Sequence, residues 1–187
     1  TLKRGDALPM DNEQGVKLIL ENNLVRYVFD EKGMLTSAYD KEEEKEFLSG
    51  PGNILSLYDD RPNNWDAWDI DFFYREALLE TADMGKSNSS SIGKVLQQLD
   101  LQFRIGDSTI DQRIRLHSMS RRLDMQTTVN WKEKHKMLRV HFPVAIRSDQ
   151  ASFDIQYGYV KRHTHENTSW DRAKFEVVGH KYADLSD

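Results

Sequence analysis

Hydrophobic and polar residues alternate with a period of two over most of this chain, the spacing of a strand with one buried face. Leu99, Leu101, Phe103 and Ile105 alternate with Asp100, Gln102 and Arg104. After Gly106-Asp107-Ser108 the pattern resumes, with Ile110, Ile114 and Leu116 set against Asp111, Arg113, Arg115 and His117. Two such runs around a Gly-Asp-Ser turn predict a β-hairpin. Met125, Thr127, Val129 and Trp131 carry the alternation onward, and the polar residues 132–136 supply the next turn. Leu138, Val140, Phe142, Val144 and Ile146 predict a long strand with Arg139 and His141 facing away. Pro143 has no N–H to give to a ladder, so this end is expected at an edge or a bulge.

Further strands are predicted over 16–20, 24–29, 34–39, 53–58, 151–157 and 174–180, with a turn at Asp30-Glu31-Lys32-Gly33. Asp40 and Glu43 have the spacing of a capping box, but Gly50-Pro51-Gly52 leaves room for only a short helix. Many short, half-polar strands between turn residues predict an all-β fold, an antiparallel β-sandwich, as one domain over residues 1–187. Two stretches fall outside the alternation. Residues 59–74 form a long loop rich in Trp, Asp and Asn, and long ordered loops tend to carry function. Residues 84–93 (MGKSNSSSIG) are small and polar and read as a flexible loop.

Composition narrows the function classes. At about 150 residues per domain, 187 residues make roughly one. Lys and Arg number 26 against 31 Asp and Glu, a net charge of −5, which disfavours nucleic acid as a partner. With no Cys, a disulfide framework, a thiolate metal site and a cysteine nucleophile are all excluded. No apolar run approaches the ~20 residues of a membrane span, and nothing at the start reads as a signal peptide. A cytoplasmic protein without a membrane contact is therefore expected. The first residue is Thr1 rather than Met, so an excised or processed piece of a longer chain is expected as well.

Two clusters carry candidate chemistry. In the first, Trp65 and Trp68 are interleaved with Asp66, Asp69 and Asp71. An exposed indole covers the apolar C–H face of a pyranose, while a neighbouring carboxylate accepts hydrogen bonds from its hydroxyls. Equally, the indoles anchor a loop on the sandwich and the Asp residues shape turns. Paired carboxylates are also the groups a glycosidase sets on either side of its scissile bond, although nothing here marks one Asp as an acid. The second cluster is His163-Thr164-His165-Glu166-Asn167-Thr168-Ser169-Trp170-Asp171. Residues two apart in an extended chain point the same way, so His163 and His165 can face one ligand. An H-x-H pair with Glu166 or Asp171 is a weak metal signal, and loop histidines satisfied by neighbours account for it too.

Several motifs together resemble the C-terminal β-sandwich region of family 38 glycoside hydrolases. They are Trp65-Asp66-Ala67-Trp68-Asp69-Ile70-Asp71, Ser120-Arg121-Arg122-Leu123-Asp124, Trp131-Lys132-Glu133-Lys134-His135-Lys136 and His141-Phe142-Pro143-Val144. The most specific is Arg162-His163-Thr164-His165-Glu166-Asn167-Thr168-Ser169-Trp170-Asp171, followed by Phe175-Glu176-Val177 and by His180-Lys181-Tyr182-Ala183-Asp184-Leu185-Ser186. The opening Leu20-Glu21-Asn22, with Gly33, Thr36-Ser37 and Tyr39-Asp40-Lys41, fits the start of the same region. The resemblance is to the cytosolic and vacuolar class of α-mannosidases and their bacterial relatives.

That resemblance implies a galactose-mutarotase-like supersandwich, with strands expected beyond Asp187. It implies a retaining α-mannosidase as the parent, acting on mannosides and oligosaccharides. Zinc, its ligands, the nucleophile and the acid then belong to an N-terminal α/β barrel, the expected partner of this domain. No catalytic or metal-binding residue carries over to this sequence, and no cofactor is assigned to it. The residues expected to face substrate or barrel are Trp65, Asp66, Trp68, Asp69, Asp71, His163 and His165. Two other readings stand beside this one. A free-standing carbohydrate-binding module would use Trp65 and Trp68 as its platform. A mutarotase-like isomerase would use His163 or His165 as acid or base. A sheet edge left open at the C-terminal end would favour a homodimer.

Overall fold

The hairpin predicted from the alternating residues is the backbone of the fold. In the computed structural model, which describes residues 18–66 and 68–186, the chain divides into two compact units. The first takes in the described residues up to Arg61 together with Phe73–Val144, and the second comprises Pro62–Phe72 with the described residues from Ala145 onward. A single sandwich over the whole chain was expected, and the second unit departs from that. The predicted strand over 16–20 lies partly outside the described residues.

The first unit holds β1 (Leu18–Glu21), β2 (Val25–Phe29), β3 (Leu35–Asp40) and β4 (Lys45–Glu46), paired in that order. β5 (Ile54–Asp59) is the centre of a three-stranded sheet, between β6 (Leu78–Thr81) and the later β11 (Lys136–His141). β7 (Asp83–Ile92), β8 (Leu96–Ile105), β9 (Ser108–His117) and β10 (Leu123–Asn130) form a four-stranded meander. All pairings are antiparallel. Ile105 faces Ser108 across the two-residue turn, where Gly106 takes a φ of 55° that a side chain would strain.

Alternation sorts the two faces of β8 and β9. Leu99, Leu101, Phe103, Ile105, Ile110, Ile114 and Leu116 are buried and meet Leu20, Phe29, Leu35, Leu55 and Leu57 from the other two sheets in one core. This is the expected antiparallel sandwich. Gln112 breaks the apolar row, and its burial is matched by a partner. Its amide and that of Asn53 exchange two hydrogen bonds of 2.9 Å, and Asn53 Nδ2 also donates to the Gly33 carbonyl at 3.0 Å. Both amides are thereby satisfied inside an apolar core, where an unpaired one costs about 1–3 kcal/mol.

Three expectations need correction. Residues 84–93 are not a flexible loop, because Asp83–Ile92 is the edge strand β7, paired along the length of β8. β8, ten residues long and paired with β9 on its other side, presents the N–H and C=O groups of its second edge, and that template orders a segment whose composition alone favours a loop. Its Ser, Asn and Lys side chains suit an exposed edge, which polar residues protect from further pairing. β11 stops at His141, and beyond Pro143 only an isolated bridge joins Val144 to Leu48. The strand predicted over 174–180 does not form; among the described residues of that tail, the strand-paired ones are Ala183–Asp184.

The second unit is built on β12 (Gln150–Ile155), flanked by β13 (Gly158–His163) and β14 (Ala183–Asp184). A single helical turn, α1 (Ser169–Arg172), follows β13. Phe153 anchors this sheet, with the Arg162 guanidinium 4.9 Å from its ring centre. No described residue of this unit is fully buried.

Candidate functional site

The tryptophan-rich loop leaves β5 at Asp59 and returns through a 3-10 helix, Phe72–Glu76. Its tip is a tight turn: the Trp65 carbonyl accepts from the N–H of Trp68 at 2.6 Å and of Asp69 at 2.9 Å. Trp65 has a φ of 62°, in the left-handed region that bulky side chains avoid. Both indoles stand in solvent, Trp65 at 74% and Trp68 at 90% exposure. They do not anchor the loop. The carboxylates divide by role. Asp71 Oδ2 accepts from the Asn63 N–H at 2.6 Å and closes the loop, and Asp69 Oδ1 accepts from the Ile70 N–H at 2.9 Å. Asp66 is exposed at the tip.

The histidine segment begins at the end of β13. His163 and His165 stack with ring centres 4.8 Å apart and planes 28° from parallel. The Nδ1 of His165 is inaccessible to solvent, makes no hydrogen bond and lies 3.6 Å from Asp171 Oδ2. Asp171 is committed to the start of α1. Its Oδ2 accepts from the Thr168 hydroxyl at 2.7 Å and the Thr168 N–H at 3.1 Å, while Thr168 Oγ1 accepts from the Asp171 N–H at 3.2 Å. This reciprocal capping box, led by the Thr168 hydroxyl, holds the Asp171 carboxyl below the usual carboxylate range. Asp171 is thus a structural anion beside His165 rather than an acid.

Sheet register sets the floor of a cavity of about 700 Å³. Gln150 pairs with His163, and Ser152 pairs with both Lys161 and Asp184. Cross-strand partners share a face, so these five side chains lie together. Asp149 and Asn167 complete the wall with His165. The volume is that of a small-molecule site, which runs to roughly 300–1,000 Å³, but its lining is polar throughout. Carboxylates, amides, hydroxyls, imidazoles and one ammonium supply donors and acceptors in the mixture that a polyhydroxylated ligand uses. Among the described residues, no three His, Asp or Glu side chains are gathered as a metal ion requires.

Tertiary structure unites what lies a hundred residues apart in sequence. Trp65, Asp66, Trp68, Asp69 and Asp71 belong to the same unit as His163 and His165. Phe72, just after Asp71, packs edge-on against Phe175 at 5.4 Å between ring centres. Lys161, Asp149 and Asp184 were not singled out in the sequence. For Lys161 a signal existed: it sits two residues before His163 on a strand and so shares its face. Asp149 had none, and Asp184 stood only within the His180–Ser186 run, because pairing with β12 is what brings the tail back.

Comparison with known proteins places these features. Residues 20–187 match the family model described as the glycosyl hydrolases family 38 C-terminal domain. The chain is 35% identical to Alpha-mannosidase G of Dictyostelium discoideum over 184 residues, covering 94% of this chain and 17% of the relative. It is 34% identical to human Alpha-mannosidase 2C1 over 179 residues, 90% of this chain and 16% of that one. It is also 34% identical to the Alpha-mannosidase of Saccharomyces cerevisiae over 186 residues, 91% of this chain and 17% of that one. The chain therefore spans about a sixth of the length of these relatives. In fold it is similar to the crystal structure of an alpha-mannosidase from Enterococcus faecalis, with a TM-score of 0.63 at 14% identity, covering 89% of this chain and 22% of that one. Sequence motifs, sandwich and family match agree, and the chain belongs to the C-terminal domain family of the family 38 glycosyl hydrolases.

Proposed function

We propose that this chain is the C-terminal β domain of a retaining α-mannosidase that removes terminal α-mannosyl residues from glycans. In this reading it supports an N-terminal α/β barrel, walls the substrate pocket and is inert alone. The names of its relatives support the activity, and their length supports further domains. One observation supports the wall: the second unit has no buried residue of its own among those described, yet it holds Trp65, Trp68 and Trp170 in solvent and carries a polar cavity. A surface of that kind is completed by something else.

The role divides between the two clusters. The indoles of Trp65 and Trp68 cover the C–H face of a sugar ring. Lys161, His163, Asp149 and Asp184 exchange hydrogen bonds with hydroxyls. Zinc belongs to the barrel in this reading, where its chemistry would be to hold sugar hydroxyls, and the residues described here do not form a ligand set for it. No helix among the described residues is long and apolar enough to cross a membrane. A cytoplasmic enzyme, with pairing of two copies through an open sheet edge, is part of the proposal.

The exposed indoles favour one second reading, a sugar-binding module that acts without the barrel. Titrating the isolated chain with methyl α-mannoside and mannobiose, followed by tryptophan fluorescence, separates the two. The wall reading expects a flat titration, and expects Trp68→Ala in the longer enzyme to raise KM for an aryl α-mannoside. A saturable change in the isolated chain, lost in Trp68→Ala, replaces it with the module. An unchanged kcat/KM in Trp68→Ala and His163→Ala enzymes removes the wall.

A further inference from the structure

β8 and β9 have two faces, and only the inner one belongs to the core. On the outer face, register aligns side chains in rows across all four strands of the meander. Lys86, Gln102, Asp111 and Thr128 stand opposite one another in one row. Asn88, Asp100, Arg113 and Gln126 make the next. A bulge at Gly85 sets this alignment, because the register of β7 shifts between Met84, opposite Phe103 of the core, and Lys86, opposite Gln102. Without the extra residue Lys86 and Asn88 would turn to the apolar side, since a one-residue slip turns a strand over. The two rows line a hollow of about 490 Å³. Some of its groups are held. Arg113 Nε and Gln98 Nε2 donate to the two oxygens of Asp100 at 3.0 and 2.8 Å, and Gln102 Nε2 donates to Asp111 Oδ1 at 2.9 Å. Others are free: the side chains of Lys86, Asn88, Gln126 and Thr128 are exposed and have no partner among the described residues.

We infer that this face binds a short neutral oligosaccharide, laid across the strands along the rows. Charge selects the class. Lys86 and Arg113 are matched by Asp100 and Asp111, so a phosphate would meet carboxylates and a cationic peptide would meet Lys86 and Arg113. A neutral polyol meets neither cost, because each hydroxyl both donates and accepts. The amides of Asn88 and Gln126 offer the same two roles, the Lys86 ammonium donates, and the second oxygen of Asp111 accepts. Spacing sets the length. A row crosses three inter-strand steps of about 4.8 Å, on the order of 14 Å in all, the reach of two or three linked pyranose rings. The bonds to Asp100 and Asp111 hold Arg113 and Gln102 in place beforehand, so binding orders fewer side chains. No aromatic residue lines the hollow, so tryptophan fluorescence does not report on it. This face belongs to the first unit and owes nothing to the indoles of the tip or to the histidines, which lie in the second.

The test uses the longer enzyme and an S-linked α-mannotriose, whose sulfur bridges resist hydrolysis. Hydrogen exchange in the peptide covering β7, residues 83–92, is followed as the sugar is titrated. Saturable protection of that peptide is expected. The Kd it reports should rise about tenfold in Lys86→Ala and in Arg113→Ala, each of which removes a charged donor. Asp111→Asn keeps an acceptor for Gln102 but removes the charge, and should raise the Kd about threefold. In Trp68→Ala the protection should persist unchanged, whatever becomes of the wall. Absent protection, or protection that none of the three substitutions weakens, overturns the inference. Protection lost in Trp68→Ala overturns it as well, since the sugar is then held at the tip. So does saturable protection by inorganic phosphate in place of the trisaccharide, which would make Lys86 and Arg113 an anion site. Should Arg113→Ala fail to fold because it strips Asp100 of its partner, Lys86→Ala and Asp111→Asn decide alone.

Discussion

The two units solve the problem of holding strands together in opposite ways. In the first, side chains from three sheets close one apolar core, and the Asn53–Gln112 pair buried within it exchanges two hydrogen bonds. In the second, a three-stranded sheet leaves every described residue at least partly exposed and gathers charged and imidazole groups on one face. A unit with a closed core commits its large apolar side chains to the interior. A unit without one keeps its polar groups and aromatic faces available, at the cost of depending on what it packs against. Burial is confined to the first unit among the described residues, and the two units differ most plainly in that.

Truncating the core is the strongest way to test that contrast. Phe29→Ala or Phe103→Ala, both fully buried, is expected to cost about 3–5 kcal/mol in urea unfolding. Phe153→Ala, half-buried in the second unit, is expected to cost about 1–2 kcal/mol. Equal losses would mean that the second unit carries a core as tight as the first. Next in size is Gln112→Ala, which strands the Asn53 amide and is expected to cost about 2 kcal/mol. An effect under about 0.5 kcal/mol would show that water replaces the lost partner.

The pH dependence sharpens the contrast further. In the first unit, burial and then the nearby Arg139 hold the His141 imidazole below its ordinary value. The unfolded chain then binds this proton more readily, so stability is full above about pH 6.5 and declines as pH falls below it. Asp40, held below the usual carboxylate range by the Glu43 N–H and then by Arg121, adds a second loss as pH falls below about 4. Asp171 in the second unit follows the same sign through its Thr168 cap. Urea midpoints from pH 8 to pH 3 should show both steps, and His141→Phe should remove only the upper one. The smallest effect is expected from Trp68→Ala, whose side chain is almost wholly in solvent. Its unfolding free energy should stay within about 0.5 kcal/mol of the parent's, and a larger loss would mean that the indole packs after all.

Much of the first unit was legible because its periodicity is strict. Leu99 to Leu116 announce two strands and the turn between them without any tertiary information, since a one-residue slip would turn the whole apolar face to solvent. Residues 84–93 were misread because Ser and Asn carry no such signal; an edge strand is specified by the partner it finds. The tail over 174–180 failed the other way. Its residues favour a strand, but the Asp154 carbonyl and carboxylate accept from the N–H groups of His180 and Lys181 and hold it as an irregular run.

The candidate site divides along the same line. Residue type alone marked Trp65, Trp68, His163 and His165, because clustered indoles and imidazoles in loops are unusual wherever they point. Which of them are free was decided only by the fold. Asp171 was drawn into a helix cap, Asp71 into closing its own loop, and Lys161 and Asp184 were carried to the cavity by pairing with β12. Local sequence sets chemistry and strand periodicity, which depend on side-chain type and on neighbours two residues away. Edge pairing, burial of a lone polar residue and convergence of distant carboxylates depend on partners far along the chain, and tertiary structure alone brings those together.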